Sequence, residues 1–520
     1  MGVALARNPV RGTSKWFPFQ QALLSTEIGN PSTLTPNAEI QLCLGKQYAK
    51  NQWSMKRKAE QFLSNWLGRP HRKPLVLKGA RQVGKSYLVE DWGRRHFKSV
   101  LTVDLERERE LHSLFSKSDP ARLLEELALL KRLPLVPGET LLFLDEIQAC
   151  PPALAALRYF FERIPELHVV AAGSLLDFSL RELSHSMPVG RIEFLHLHPM
   201  SFEEFLEAVE GAPLVEYLGK RTLSDPPTEA MEGRLRELLR RYFFVGGMPE
   251  AVRAYVERND LLEVQRIQTA LVQTVQEDFA KYGPRRLQEL MRRTYRHVAT
   301  NVGRKLKFVN VSREDRAIDV RAALEMLALS RVVNVVHHTS ANGLPLGAEQ
   351  DDRQFKPLFL DIGLVNRLCG LDLVGEEELI TVNEGTLAEQ FIGQELIAAS
   401  PAFEDPRLFY WAREARNANA ELDYVISRGQ DVLPVEVKAG KTGTLKSLLQ
   451  FLGEKRRQRA VRFYLGRPSL EEVALPGDEP AKGQLLSLPL YLAGQLDRFL
   501  AEAFGSRAAP AATRWKSSGE

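Results

Sequence analysis

The chain has 520 residues, which is too long for one hydrophobic core and predicts about two to four domains. It is 44% hydrophobic and 26% charged, as ordinary soluble proteins are, and its net charge of +4 neither requires nor excludes a nucleic-acid partner. The three cysteines, Cys43, Cys150 and Cys369, are far apart, which argues against a disulfide framework or a zinc ribbon. No membrane span or signal peptide is indicated, so we expect a cytoplasmic protein without a membrane partner.

Residues 1–54 have a composition unlike the rest of the chain. They are rich in Ser, Thr, Asn and Pro and lack a sustained apolar periodicity. They form either a disordered tail or an extension upstream of a natural start at Met55. Residues 506–520, rich in Ser, Arg and Ala, are also predicted to be a disordered tail.

Strands and helices alternate between residues 55 and 210. Short apolar runs and longer amphipathic stretches follow one another along this part of the chain. The predicted strands are 75–78, 100–104, 140–145, 168–172 and 192–197, and the predicted helices are 85–96, 121–130 and 152–164. This alternation predicts an α/β domain with a parallel sheet and helices on both faces.

A glycine-containing loop joins the first predicted strand to the next helix and matches the pattern GxxxxGK[ST]. Glycines allow backbone N–H groups to point at phosphate oxygens, Lys85 can reach the β- and γ-phosphates, and the Ser86 hydroxyl can bind Mg²⁺. In this strand–loop–helix context the match predicts binding of ATP with Mg²⁺ rather than a plain glycine turn. The predicted ATP-binding residues are Gly79, Ala80, Arg81, Gln82, Val83, Gly84, Lys85 and Ser86.

An acidic pair, Asp145 and Glu146, ends the third predicted strand. Asp145 is expected to hold Mg²⁺, through water, and Glu146 to orient and polarise the attacking water. Ligands bind at the carboxyl ends of the strands in open α/β sheets, where this pair lies. Together with the upstream loop, the pair predicts an ATP hydrolase.

Two further residues are candidates for a catalytic role at the nucleotide. Ser174 follows the fourth strand and would lie between Asp145 and the γ-phosphate, unless it only closes a Gly-Ser turn. Arg191 starts the fifth strand and could stabilise charge at the γ-phosphate of its own chain or of a neighbouring copy. The second role of Arg191 requires a homo-oligomer, and the plain alternative is a surface arginine.

The alternation stops after Pro199, and a helical region is predicted for residues 211–380. Ser201 followed by Glu204 is a capping-box pattern that starts the first long helix. Near the end of this region, a helix is followed by a strand, a turn and a second strand, which is the outline of a winged helix. The basic helical stretches are 234–241 and 285–296, and the winged-helix elements are 318–329, 331–338 and 354–360.

The last predicted domain, residues 381–505, contains a hairpin with acidic residues on both strands. If its turn is centred on Gly429–Gln430, Asp423 lies opposite Glu436, and alternation places Lys438 on the same face as Glu436. Two carboxylates and a lysine on one patch are what a metal-dependent phosphodiesterase needs. The alternative is a solvated strand face that carries mixed charges.

Together these residues resemble bacterial and archaeal AAA-type P-loop ATPases with a C-terminal restriction-endonuclease-like domain of unknown function. The resemblance covers about residues 56–465 and rests on GARQVGKS, LLFLDEIQ, AAGS, the Gly-Arg before the fifth strand, HPMSFEEFL, FVGGMPE, FLDIGL and the C-terminal segment. It implies an AAA-like sheet at 55–210, a helical and winged-helix middle, and a C-terminal α/β domain. Members of this family begin shortly before the first helix, which favours Met55 as the natural start.

The C-terminal hairpin resembles the D–ExK signature of restriction-type nucleases, with Asp423, Glu436 and Lys438 as its catalytic residues. Glu389, on a predicted helix at 384–398, matches an acidic residue that the upstream helix of this fold often adds. The resemblance implies that Glu389, Asp423 and Glu436 bind metal and that DNA or RNA is the target. The competing hypothesis is a signalling or scaffold ATPase whose inactive C-terminal domain only binds protein or nucleic acid.

Overall fold

The structure, a computed structural model, describes residues 55–505 except 117–118, 175, 178–189, 371–377, 414–419, 439, 441–443 and 477–480. For residues 378–384 it describes the backbone only. The interpretations of residues 1–54 and 506–520 lie outside the described residues. The chain from Lys56 onward forms one unit, and none of its described helices is long and apolar enough to cross a membrane.

Five parallel strands form the first sheet: β1 (Leu75–Lys78), β2 (Ser99–Asp104), β3 (Thr140–Asp145), β4 (His168–Gly173) and β5 (Glu193–His196). Their order is β2-β3-β4-β1-β5, and all neighbours are parallel. The helices of this part are α1 (Ala59–Leu67), α2 (Lys85–His96), α3 (His112–Phe115), α4 (Pro120–Lys131) and α5 (Pro151–Arg163). The predicted α/β alternation and parallel sheet are confirmed.

The central strands β3 and β4 consist mostly of consecutive apolar residues, and nearly all of their residues are buried. This pattern is typical of parallel strands that are covered on both faces. The core beside them joins Leu142 and Leu144 of β3 to Leu154, Leu157 and Phe160 of α5. Because these strands pair in parallel, the carboxyl ends of β1, β3 and β4 lie at the same end of the sheet.

A helical region follows, with α6 (Phe202–Glu210), α7 (Ala212–Lys220), α8 (Glu229–Val245), α9 (Pro249–Arg258), α10 (Leu261–Asp278), α11 (Arg285–Thr300), α12 (Phe308–Val311) and α13 (Ala317–Leu329). The capping box at the start of α6 is confirmed. The backbone N–H of Glu204 donates to the Ser201 hydroxyl (3.4 Å), and the backbone N–H of Ser201 donates to the Glu204 carboxylate (2.8 Å). The two basic stretches lie in α8 and α11.

Eight strands form the second sheet: β6 (Val333–Thr339), β7 (Gln350–Phe359), β8 (Leu408–Arg413), β9 (Ala420–Arg428), β10 (Asp431–Val437), β11 (Arg459–Tyr464), β12 (Ser469–Leu475) and β13 (Ala481–Pro489). Their order is β12-β13-β11-β10-β9-β8-β6-β7, with parallel and antiparallel neighbours. The helices of this part are α14 (Ile362–Leu368), α15 (Glu378–Ala398), α16 (Lys446–Glu454) and α17 (Leu496–Phe504).

The hairpin of β6 and β7 is not the wing of a separate winged-helix domain. Helix α13, β6 and β7 occur in the predicted order, but β6 also pairs in parallel with β8, through Val336–Leu408 and His337–Phe409. The two strands are therefore part of the eight-stranded sheet rather than a free wing. This sheet crosses the position between residues 380 and 381 where the sequence suggested a domain boundary.

The hairpin of β9 and β10 has the register that its turn predicts. The observed pairs run from Arg428–Asp431 to Tyr424–Val435 and are all symmetric about Gly429–Gln430. Gly429 has φ of 60°, a left-handed conformation that glycine adopts without strain. Asp423 and Glu436 come next in this register, at the end of the pairing.

Candidate functional site

The phosphate loop, residues 79–86, connects β1 to α2. A Cβ on Gly79 would lie 2.3 Å from the backbone oxygen of Leu197, so the loop can pass there only with glycine. The Lys85 ammonium donates to the backbone oxygens of Gly79 (3.1 Å) and Ala80 (2.8 Å). Burial lowers the pKa of Lys85 to about 8, although the negative charges of the neighbouring acidic pair oppose this shift.

Ser86 and Asp145, the two expected magnesium ligands, contact each other. The Ser86 hydroxyl donates to Asp145 Oδ2 at 2.5 Å. Burial raises the pKa of Asp145, and the hydrogen bond from Ser86 opposes that shift. Hydroxyl and carboxylate oxygens are the ligands that Mg²⁺ prefers, so this pair fits a magnesium ion beside the loop.

Glu146 is held by two side-chain donors. Ser174 Oγ and Gln148 Nε2 both donate to Glu146 Oε2, at 3.2 and 2.5 Å. The backbone of Glu146 is left-handed, with φ of 47°, a conformation that non-glycine residues adopt at some cost and often at functional sites. The structure therefore places Ser174 against Glu146. Gln148 was missed by the sequence analysis, although it lies in the same motif.

Arg191 lies at the amino-terminal end of the strands of the five-stranded sheet, and the phosphate loop lies at their carboxyl end. Arg191 precedes β5, whose first residue Glu193 pairs with Leu75 at the start of β1, whereas the phosphate loop follows the end of β1. β1 alone spans about 10 Å, and the Arg191 guanidinium pairs with Glu162 at 3.0 Å. Arg191 therefore lies away from the phosphate loop of its own chain in this structure, and a role at the nucleotide of its own chain stays a prediction. A role toward a neighbouring copy and that of a surface arginine stay open.

Two arginines fix the phosphate loop to its surroundings. Arg57, which is buried, donates to the backbone oxygens of Val83 (2.9 Å) and His198 (2.7 Å). Arg81 of the loop itself forms an ion pair with Asp278 at the end of α10, at 2.8 Å. Sequence reasoning missed the role of Arg57, for which the basic run before α1 was the available signal.

The motifs FVGGMPE and FLDIGL contact each other through Asp361. Its buried carboxylate accepts from the backbone N–H groups of Gly247 (2.6 Å), Gly363 (3.0 Å) and Leu364 (3.2 Å). A Cβ on Gly246 would lie 2.1 Å from Asp361 Oδ1, so the contact requires glycine. Burial raises the pKa of Asp361 to about 6, and these hydrogen bonds oppose the shift.

The C-terminal carboxylates come together where β9 and β10 stop pairing. Asp423 Oδ2 accepts from the backbone N–H of Val437 (2.7 Å), and Lys438 donates to Glu436. Burial and then the charge of Asp423 raise the pKa of Glu436 to about 7. Burial raises the pKa of Glu389 on α15 to about 8, the charge of Asp423 adds to this, and the charge of Lys356 opposes it.

Lys356 of β7 is a member of this cluster that sequence reasoning missed. Its ammonium lies 3.1 Å from Glu389 Oε1 and 2.6 Å from Glu421 Oε1, and its side chain is only 3% exposed. Burial lowers the pKa of Lys356, but the neighbouring carboxylates outweigh burial and raise it above its ordinary value. A lone lysine between apolar residues of a predicted strand was the signal that could have revealed it.

Glu389, Asp423 and Glu436 do not form a preorganised metal site in this structure. Among the described residues, no group of three or more His, Cys, Asp or Glu side chains is arranged to hold a metal ion. Glu389 already pairs with Lys356, and Glu436 already pairs with Lys438. However, Glu436 Oε2 is buried and accepts no hydrogen bond from the described residues. Such an oxygen fits a cation, so a metal role for these residues stays a prediction.

Three parts of the sequence match known families. Residues 71–206 match the family described as AAA domain. Residues 236–374 match Domain of unknown function (DUF8612), and residues 384–491 match Domain of unknown function (DUF4143). No curated protein matches the sequence significantly.

Several solved structures are similar to this chain at low identity and low TM-score. A Walker-type ATPase of Pyrococcus abyssi is 16% identical, with a TM-score of 0.39 over 61% of this chain and 96% of that chain. The ORC2 protein of Aeropyrum pernix, in ADPNP–ADP complexes, is 14% identical, with a TM-score of 0.29 over 68% and 96%. The ORC1 protein of A. pernix, in complex with DNA, is 15% identical, with a TM-score of 0.27 over 62% and 93%.

Likenesses of this size carry no information on substrate or partner. The family matches agree with a five-stranded parallel sheet that has a phosphate loop after β1 and an acidic pair at the end of β3. The chain therefore carries an AAA-type P-loop ATPase domain, followed by two domains of unknown function.

Proposed function

We propose that the protein is a Mg²⁺-dependent ATPase whose nucleotide state is coupled to a nuclease-like C-terminal site acting on nucleic acid. The contact between Ser86 and Asp145 carries the first half of this proposal. It joins the end of the phosphate loop to the acidic pair, and the charges of Lys85 and Glu146 both act on the Asp145 carboxyl group. This is the set of groups that phosphoryl transfer to water requires.

In the proposed reaction, Lys85 holds the β- and γ-phosphates and stabilises their developing charge. Ser86 and Asp145 would hold Mg²⁺, which neutralises phosphate charge. Glu146 orients a water molecule and accepts its proton while the oxygen bonds to the γ-phosphorus and the bridging P–O bond breaks, giving ADP and phosphate. Ser174 positions Glu146 through the hydrogen bond described above. Arg191 would act on the nucleotide of a neighbouring copy in a homo-oligomer.

Replacing Glu146 with glutamine should leave ATP binding intact and slow hydrolysis by about 100-fold or more, because the amide keeps the shape but cannot accept the proton. The measurement is ATP affinity and kcat on the same preparations. Glu139→Gln is the matched control, since Glu139 is an exposed glutamate that pairs only with Lys98 in the described part of the chain. If the Glu146→Gln variant lost ATP binding while its residual turnover stayed normal, the roles assigned to Asp145 and Glu146 would have to be exchanged.

A chain of buried contacts supports coupling between the two sites. Pro249 packs beside Gly84 of the phosphate loop, and Gly247, two residues earlier, donates to Asp361. Gln394 of α15 donates to the Tyr242 hydroxyl (2.8 Å) and accepts from the backbone N–H that follows Asp361. The same helix carries Glu389 of the carboxylate cluster. A shift of the phosphate loop on ATP binding would therefore reach α15 through packed groups.

The nuclease-like half of the proposal rests on Asp423, Glu436 and Lys438. These residues lie at one end of the β9–β10 hairpin, with Glu389 close enough for its carboxyl group to be affected by the charge of Asp423. Bound there, a divalent metal would supply Lewis-acid activation of the scissile phosphate. Lys438 is the group that would position the attacking water.

The Asp423→Asn variant tests this half. Wild-type protein should cleave a nucleic-acid substrate with Mg²⁺ and not with EDTA, and Asp423→Asn should lower the rate by at least about 10- to 100-fold. Asp431→Asn is the matched control, because Asp431 lies on the same hairpin and pairs with Arg459 away from the cluster. Equal cleavage by wild type and Asp423→Asn would contradict the assigned site.

One observation favours a second candidate, an ATPase with a catalytically inactive C-terminal domain that only binds protein or nucleic acid. Lys356 already forms ion pairs with Glu389 and Glu421, and no three-ligand metal group is formed among the described residues. A wild-type protein that hydrolyses ATP but cleaves none of single- or double-stranded DNA or RNA would support this signalling or scaffold function.

A further inference from the structure

Helix α11 carries a basic face that neither proposed reaction uses. Between residues 285 and 307 the sequence has eight Arg and Lys residues and one acidic residue, Glu289. The other face of α11 packs into the protein through Leu290, Met291, Thr294, Tyr295, Val298 and Ala299. The positive charge is thus confined to the outer side of the helix and to the segment that follows it.

Four of these residues, Arg292, Arg296, Arg304 and Lys307, form what we call the basic ridge. Arg296, Arg304 and Lys307 are exposed and Arg292 is partly exposed. None of the four forms an ion pair within the described part of the chain. The remaining arginines of α11 are paired: Arg285 with Glu289, and Arg286 and Arg293 with Asp315. The basic ridge therefore keeps a positive charge that no acidic neighbour among the described residues compensates.

The basic ridge ends at the carboxylate cluster. A Cβ on Gly303 would lie 2.7 Å from Glu389 Oε2, so the backbone after α11 passes directly over this carboxylate. Two residues later, Lys305 pairs with Glu421 at 3.5 Å. The next residue, Leu306, donates to the backbone oxygen of Phe355, the neighbour of Lys356. A molecule that follows the ridge would thus arrive at Glu389 and Glu421, the members of the cluster whose charges act on each other and on Asp423.

We propose that the basic ridge binds the phosphodiester backbone of a nucleic-acid strand and leads it to the carboxylate cluster. This proposal rests on the nuclease-like function proposed above and adds the surface that holds its substrate. Arg292 and Arg296 are four residues apart, so their guanidinium groups lie on one side of α11 and can contact successive phosphates. DNA and RNA share this backbone chemistry, so the test has to distinguish them.

The test is equilibrium binding of the full chain to labelled single- and double-stranded DNA and RNA, by fluorescence anisotropy in EDTA over a range of salt concentrations. Two variants remove the ridge in halves: Arg292→Gln with Arg296→Gln, and Arg304→Gln with Lys307→Gln. Each should lower the slope of log affinity against log salt by about 2 and weaken binding about 10- to 100-fold. The charge-matched control is Lys220→Gln with Arg240→Gln, two exposed residues without an ion pair among the described residues.

The control should bind like wild type. Binding of wild type to none of the four nucleic acids, or equal binding by wild type and both ridge variants, would overturn the proposal. Because the assay contains no metal, its result is independent of cleavage. Binding that depends on the ridge, without cleavage in Mg²⁺, would refute the nuclease reaction and support the role of the ridge. Cleavage in Mg²⁺ with binding that does not depend on the ridge would support the nuclease reaction and refute the role of the ridge. The arm with the tightest ridge-dependent binding identifies the nucleic acid.

Discussion

Replacing Lys85 with alanine is expected to lower ATP hydrolysis by at least about 100- to 1,000-fold. The ammonium of Lys85 is buried beside the phosphate loop and, within the described part of the chain, bonds only to backbone oxygens of that loop. When ATP is present, the β- and γ-phosphates offer it anionic acceptors in a poorly hydrated site, where a charge contact is strong. Because phosphate charge grows in the transition state, the lost contact should lower kcat as well as ATP affinity.

Steady-state kinetics and ATP titration would measure both effects. Lys98→Ala is the matched control, since Lys98 is 74% exposed and pairs with Glu139 on the surface of the same domain. A melting temperature close to that of wild type would show that the Lys85 variant is folded. Near-normal hydrolysis by a folded Lys85→Ala variant would refute the assigned nucleotide site.

Replacing Asp361 with alanine should destabilise the folded protein by about 3 kcal/mol or more. The carboxylate of Asp361 is the acceptor for three backbone N–H groups, from Gly247, Gly363 and Leu364, in a fully buried position. Alanine would leave these donors without an acceptor and without access to water, and each unsatisfied donor costs about 1–3 kcal/mol. Thermal unfolding should show a melting temperature lower by several degrees.

Asp361→Asn separates loss of acceptors from loss of volume. The amide can keep one oxygen acceptor for Gly363 and Leu364, but its NH₂ group would face the Gly247 N–H, a donor against a donor. We therefore expect a loss smaller than that of alanine. Asp352→Ala is the matched control, because Asp352 is an exposed aspartate of the strand before Asp361. A melting temperature of Asp361→Ala equal to wild type would show that the junction of the two motifs is not a stabilising contact.

Local sequence patterns predicted the parts of the structure that depend on neighbours in the chain. The capping box at Ser201 and the register of the β9–β10 hairpin follow from residues only a few positions apart. The symmetric turn at Gly429–Gln430 fixes which residues face each other. The strand–loop–helix around Lys85 follows from a contiguous motif in the same way.

The contacts that the sequence did not reveal join distant positions. Lys356 meets Glu389 from another secondary-structure element, and nothing near Lys356 in the chain specifies that partner. The same holds for Arg57, whose partner Glu204 lies on α6, and for the pairing of β6 with β8. The position of Arg191 could not be predicted from the sequence either, because only the strand pairing shows at which end of the strands it lies.

The pairing of β6 with β8 also limits how the chain can be shortened for expression. A truncation between the second and third matched regions, at residues 374–384, would separate β6 and β7 from the other six strands of their sheet. Each fragment would then carry a bare strand edge with unpaired backbone donors and acceptors, which favours pairing with other chains and aggregation. A C-terminal fragment that includes α13, β6 and β7 keeps this edge covered.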